Sequence, residues 1–510
     1  MLAERGFQGW YGCGRSCARD RAPAPAAISR LFDLTPTLFL AVDGSPEFEA
    51  TLRRLESRGA TDLEAVAPAV SEILAGVRRG GEDAVRGYVE RFERRTVGPL
   101  VIGAEGGAAA LARLEPGQRA ALELAAARVR RYHEHQLRAG EQSFRYEEDG
   151  VSLGLRVRPL ARVGVYAPGG KARYPSSVLM AAIPAQVAGV GAIVLATPNP
   201  DDLMLAAAHL CGVSAILDAG GAHAIAALAY GIAPLPRVDK IVGPGSAYVA
   251  CAKRLVFGDV AVDGIAGPSE ILVIADEHAD PTIIAADLLA QAEHDESAYP
   301  LLVCTSLDLA RAVAERLSRQ LQSMPRRTII EASLQRGAAL VVPSLERAAV
   351  LADTIAAEHV ALHVRDAEAL LARIVNAGAV LVGASTPVAA GDYLAGPSHV
   401  LPTGGCVRFG SPLGVYDFIA RSSVLRYSAE ALRRHAGPIT TLARAEGLEA
   451  HARSVEARLE ARLEARLDAP ERPENEAKAP TAGSPAEPGS GFLASSQDLA
   501  LAVSNGESGP

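Results

Sequence analysis

From Arg162 onward, short apolar runs alternate with longer amphipathic stretches. The runs at 163–166, 192–195, 215–217 and 240–242 predict short buried strands, with helical patterns over 176–189, 201–211 and 222–230 between them. A second series follows at 271–274, 301–303, 339–342 and 380–382, separated by helical patterns over 281–293, 307–321, 344–357 and 366–376. Strands alternating with helices at this spacing imply parallel sheets joined by right-handed crossovers. The fold class is therefore α/β, with two doubly wound parallel-sheet units and a plausible hinge at 264–268. Before them, Leu52, Leu55, Leu63, Val66, Val70, Ile73, Leu74 and Val77 recur at helical spacing over 46–80, and a long amphipathic helix is predicted over 117–137.

The two ends break this rhythm. Residues 1–36 are expected to form an irregular arm: an Arg-rich, acid-poor stretch from Arg5 to Arg30 suggests a transit peptide or an over-extended start, while Pro23, Pro25 and Asp33 interrupt any secretory apolar core. At the other end, glutamates at 456, 460 and 464 stack like charges four apart, the pattern of a fraying helix. Residues 468–510, rich in Pro, Gly, Ser, Glu and Ala, are expected to be disordered.

Composition narrows the function. Over 510 residues, 49% are apolar and 22% charged, ordinary for a soluble globular protein with more than one core. The 51 basic and 59 acidic residues leave a net charge of −8 and no basic stripe, which argues against nucleic acid as a partner. No segment is long and apolar enough to span a membrane. The six scattered cysteines predict free thiols in a reducing, cytoplasmic setting.

Candidate chemistry sits where the pattern turns polar. Gly-rich turns at 168–170, 220–221 and 243–245 follow three of the strands, where open parallel sheets bind ligands and helix N-termini offer free N–H groups to phosphate. Each could be an ordinary connection, and Gly189-Val190-Gly191 lacks the third glycine of a dinucleotide fingerprint. Gln291 and His294, three apart, share a helical face that could be solvated polarity or half of a zinc site. His133 and His135, two apart on a helix, diverge and read as surface. Glu358-His359, at the end of a helical run, suits acid–base work. Asp392 and His399 lie in a Gly/Pro-rich loop, where Asp392 could ligate a metal or make an Asx turn. Glu446 and His451, on the last helix, otherwise read as exposed polarity.

Taken together, the motifs point further. Val165-Tyr166-Ala167-Pro168-Gly169-Gly170-Lys171, Tyr174-Pro175-Ser176-Ser177, Val238-Asp239-Lys240-Ile241-Val242-Gly243-Pro244-Gly245, Ala266-Gly267-Pro268-Ser269-Glu270, Asp287 to Asp295 and His399-Val400-Leu401-Pro402-Thr403 resemble the histidinol dehydrogenase family, in order, over roughly residues 40 to 460. The resemblance implies two related, incomplete Rossmann-like domains, one inserted in the other, with small helical terminal extensions. The domains would be 57–161 with 270–413, and 162–269, with extensions at 37–56 and 414–467. It implies zinc, one per subunit, held by Gln291, His294, Asp392 and His451, the last from the other subunit of a homodimer. Glu358 would activate water and His359 would act as general base. Ser269, His359, His399 and Glu446 would contact L-histidinol, as would the four metal-site residues. NAD would face Tyr166, His223 and Ser246. The implied reaction is a two-step, NAD-linked oxidation of histidinol through histidinal to histidine. Three positions depart from the family pattern: His223 stands for the usual Gln, and Ser246 and Ser398 for Asn. They suggest weakened or pH-sensitive NAD binding. The alternatives are a zinc-dependent dehydrogenase of another polar alcohol, or a non-catalytic paralogue.

Overall fold

The structure, a computed structural model, describes residues 38–58, 61–140, 142–169, 173–265 and 267–467. The expected arm and tail lie outside these residues, as do Gly170 and Lys171 of one Gly-rich turn and Ala266 of the hinge.

Two six-stranded sheets carry the first of two compact units, which among the described residues spans 38–146 and 153–425. One sheet runs, in spatial order, Phe39–Val42, Ala338–Val341, Tyr299–Cys304, Glu270–Ala275, His359–His363 and Ala379–Val382, all parallel. The other runs Val101–Gly103, Ala215–Leu217, Ala192–Ala196, Arg162–Tyr166, Lys240–Val242 and Ala261–Val262, parallel except for its first strand. Leaving out the first strand of each, both sheets have the order 3-2-1-4-5 in their own chain direction. That is a Rossmann order short of its sixth strand, so the two domains are related and incomplete, as expected.

The central strands are buried on both faces. In the second sheet, Val163, Val165, Leu195 and Ile216 face one core, and Val194, Ala196, Leu217 and Ile241 the other. Truncating one such residue, Leu195→Ala, would cost about 2–5 kcal/mol. Helices are launched by side-chain caps: Asp280 accepts from Thr282 N–H with Pro281 in the first turn, and Ser306 and Ser344 cap Leu307–Leu321 and Leu345–Ile355.

The domain grouping differs from the expectation. Helix Thr61–Tyr88 packs through Val70, Ile73, Leu74 and Val77 on one face of the second sheet, and Pro116–Ala139 packs through Leu122, Ala126 and Val129 on the other. Residues 61–139 therefore share their core with 162–262, not with 270–413. The segment from residue 39, expected as an extension, supplies an edge strand and helix Pro46–Glu56 to the first sheet. The 46–80 helical pattern is two helices, broken after Glu56. His133 corrects another reading: it is fully buried, one turn beyond Val129 on the apolar stripe, and its Nδ1 donates to the Val129 carbonyl at 2.8 Å.

The second unit, which among the described residues spans 147–152 and 426–467, holds helices Ala429–Ala445, capped by Ser428, and Glu449–Leu467. The second helix continues through the Glu repeat, and Arg444 pairs with both Glu449 and Glu456.

Candidate active site

Glu270 and His359 open neighbouring parallel strands at the amino-terminal edge of the first sheet. A helix that joins parallel strands runs back along them, so the last turn of Pro281–Ala292 returns Gln291 to this edge. His294 follows two residues after the helix ends. Asp392 lies in the last turn of a short helix, Val388–Tyr393, not in the loop expected of it. The catalytic candidates thus gather at the strands' amino ends, opposite to where doubly wound sheets ordinarily bind ligands. At the carboxyl edge, Asp276 follows Ala275 and its carboxylate accepts from His278 and Arg365 N–H.

The residues meet as follows. Glu270 N–H donates to Glu358 Oε2 at 2.8 Å, and the Glu270 carbonyl accepts from His359 Nδ1 at 3.1 Å. A carbonyl only accepts, so Nδ1 carries the hydrogen and Nε2 keeps its lone pair. His399 is held alike: Nδ1 donates to the Asp392 carbonyl at 2.9 Å, while Nε2 stands 3.4 Å from Ser177 Oγ on the other domain. Burial, reinforced by neighbouring histidines, pushes His359 and His399 down to about 4. Burial also drives the Glu358 carboxyl well above its usual range, with Glu270 and Asp392 adding repulsion. Ser269 immediately precedes Glu270 and is half-buried.

Three side chains here sit with polar atoms turned toward one another. Gln291 is buried and its Oε1 has no hydrogen-bond partner. Such orphans are rare in native proteins. Burial alone raises Asp392 to about 6. His294 Nε2 faces Asp392 Oδ2 at 3.9 Å, too far for a hydrogen bond. A buried amide oxygen without a partner, beside an imidazole and a carboxylate that face each other without bonding, forms a donor set that fits zinc.

The second sheet forms the other wall. Its strand order reverses between Arg162–Tyr166 and Lys240–Val242, so the switch-point crevice opens beyond Tyr166 and Val242. Gly243 crosses there at φ +113°, against the Tyr166 backbone, where a side chain would collide with the Tyr166 carbonyl. Lys253 Nζ holds the Gly243 carbonyl at 3.0 Å and pairs with Asp263, which accepts from Gly243 N–H. The Tyr166 hydroxyl accepts from Gly221 N–H, and burial pushes it up to about 12. His223 is buried, with Nε2 3.1 Å from Glu93 Oε1, and that carboxylate also accepts from Gly220 N–H at 2.9 Å. The helix N-terminus read from sequence as a phosphate cradle is thus capped from within. Ser246 is exposed at the start of Ala247–Val256. Ser398 is buried; its hydroxyl donates to the Met180 carbonyl and accepts from Val400 N–H. Glu446 and His451 are exposed residues of the second unit, at the end of Ala429–Ala445 and within Glu449–Leu467.

Known proteins resolve the family. The family model for histidinol dehydrogenase matches residues 56–459. The chain belongs to the histidinol dehydrogenase family. It is 50% identical to the histidinol dehydrogenase of Cupriavidus pinatubonensis over 423 residues, covering 81% of this chain and 95% of that one. It is 50% identical to that of Syntrophotalea carbinolica, covering 82% and 98%. A crystal structure of histidinol dehydrogenase from Elizabethkingia anophelis superposes with a TM-score of 0.76 at 31% identity, covering 84% of this chain and 99% of that one. The histidinol dehydrogenases are oxidoreductases. In this family member, sequence reasoning missed Arg58, Glu93, Asp287 and His363. Only the last two left a signal, as charged or polar residues inside otherwise apolar runs.

Proposed function

We propose that this chain oxidises L-histidinol to L-histidine in two NAD-linked steps, with zinc held by Gln291, His294, Asp392 and His451 of the partner subunit. The observation that carries this reading is His359, an imidazole kept neutral by burial and fixed with Nε2 free, next to Glu358 and that donor set. Zinc, when bound, would supply a Lewis-acidic anchor for the substrate's nitrogen atoms. NAD would accept a hydride in each step, against Tyr166, His223 and Ser246.

The chain's own groups move the protons. The carbinol carbon loses a hydride while His359 Nε2 takes the hydroxyl proton, leaving histidinal. Glu358 then takes a proton from water so that hydroxide adds to the aldehyde carbon. The hydrate loses a second hydride and a proton, giving the carboxylate. Ser269, His399 and Glu446 would position the substrate. The NAD contact at His223 would be held in place by its bond to Glu93.

A homodimer is supported by apolar side chains left exposed at Phe144, Tyr146, Val424, Leu425 and Tyr427. No helix among the described residues is long and apolar enough to cross a membrane, and the free buried cysteines suit a cytoplasmic enzyme.

Zinc-loaded protein should release two NADH per histidinol. Glu358→Gln should stop after the first and accumulate histidinal, and His359→Gln should slow the first step by about 10²–10⁴. Oxidation of small hydroxylated sulfonates in preference to histidinol would overturn the substrate assignment.

A further inference from the structure

Behind the reaction centre lies a buried ion pair that none of the proposed steps uses. Glu270 has no exposed surface, and Arg58 is almost as deeply buried. Arg58 Nε and Nη2 contact the two Glu270 oxygens at 2.6 and 2.8 Å, a two-pronged pairing that fixes the carboxylate plane. Gly404 N–H donates to Oε1 at 2.9 Å and Glu358 N–H to Oε2 at 3.2 Å, so four donors converge on one carboxylate. Arg58 also donates to the carbonyls of Leu55 and Ile355, at the ends of two helices.

The backbone of this same residue touches both proton-transfer groups. Its N–H holds Glu358 and its carbonyl holds His359 Nδ1. Glu270 and Glu358 each accept the other's backbone N–H, a reciprocal lock between adjacent strands. We propose that Glu270, clamped by Arg58, is the positioning residue of the reaction centre: its backbone N–H orients Glu358 and its carbonyl sets the tautomer of His359. This rests on the histidinol-oxidising reading for its consequence on rate, though not for its effect on the imidazole.

A glutamine at 270 has one accepting oxygen, and its NH2 would face the guanidinium, so the four donors could not all be served. Strand register would persist through the ladder, but the first peptide of the strand would lose its side-chain anchor.

Glu270→Gln alone leaves a buried, unpaired arginine and could unfold the protein. Arg58→Met/Glu270→Gln removes both charges at similar volume, a change that buried pairs often tolerate. Arg58→Lys keeps the charge and loses only the two-pronged contact. In zinc-loaded, histidine-15N-labelled protein, with His359→Gln to assign the signal, wild type should show His359 as the single Nδ1–H tautomer. The double variant should show a tautomer mixture and the lysine variant a smaller shift. For histidinol, KM should stay within about threefold while kcat falls about tenfold or more, since only proton transfer is disturbed. An unchanged tautomer in both variants overturns the proposal, whether or not kcat falls. A wild type inert toward histidinol would overturn the functional reading alone, because the tautomer comparison still decides this one.

Discussion

Burial fixes the protonation of His359, and that has a measurable consequence for stability. The folded imidazole sits at about 4, against an ordinary value of 6.5. Below pH 6.5 the unfolded chain binds a proton that the folded chain refuses. The contribution is therefore fully present above 6.5 and is lost as pH falls toward 4, amounting to about 3 kcal/mol for a shift of this size. Glu358 works with the opposite sign: its raised carboxyl favours the folded state in acid, and that advantage fades as pH rises through its folded value. The raised carboxyls of Glu358 and Asp392 offset this loss in the wild-type melt, so the His359 contribution is read as a difference: in thermal melts of metal-free protein from neutral to pH 4, the Tm of His359→Gln should gain on that of wild type as pH falls. Parallel curves for wild type and variant would remove burial as the cause. At this scale the sequence exposed Glu358-His359 as an adjacent acid–base pair. It could not expose Glu270 as their support, because Arg58, the residue that makes its burial tolerable, lies 212 positions away.

At the scale of elements, the site depends on how helix Pro281–Ala292 sits on strand His359–His363. Asp287 and His363 are buried and meet at 3.0 Å. Asp287 is one helical turn before Gln291, and His363 is two pleats beyond His359, so one bond ties the carrier of a proposed ligand to the carrier of the proposed base. Asp287→Ala should lower zinc affinity by roughly tenfold or more, the range typical of groups that orient ligands. Competition against a chelating dye measures it directly. Affinity unchanged alongside a lowered Tm would confine the pair to stability. The strands were legible because both faces are buried and the runs stay apolar to their ends. The helix carrying Asp392 was not: Val388–Tyr393 is one and a half turns long and contains Gly391, so it has no periodicity to read. His133 could have been read correctly, since the stripe of Leu122, Ala126 and Val129 continues onto it.

At the scale of the molecule, two sheets with the same strand order divide the work. One turns its carboxyl edge, with Tyr166 and Gly243, toward the proposed NAD crevice; the other turns its amino edge, with Glu270 and His359, toward the proposed reaction centre. The first arrangement follows from general rules for parallel sheets, and the sequence placed the turns at 220–221 and 243–245 after the strands that precede them. The second breaks those rules and was visible only through resemblance. The sharing of cores was hidden too, because an amphipathic helix records that it covers a sheet and not which one. The remaining whole-molecule claim is that His451 serves the partner's site. Co-expressing His451→Gln with His294→Gln tests it, since each variant alone should bind zinc poorly and be nearly inactive. In a mixed dimer, the subunit carrying His451→Gln keeps its own Gln291, His294 and Asp392 and would receive His451 of the partner subunit, restoring one site. Random pairing makes half the dimers mixed, so activity should recover to about a quarter of wild type. No recovery in a mixture shown to contain mixed dimers would place His451 in the site of its own chain.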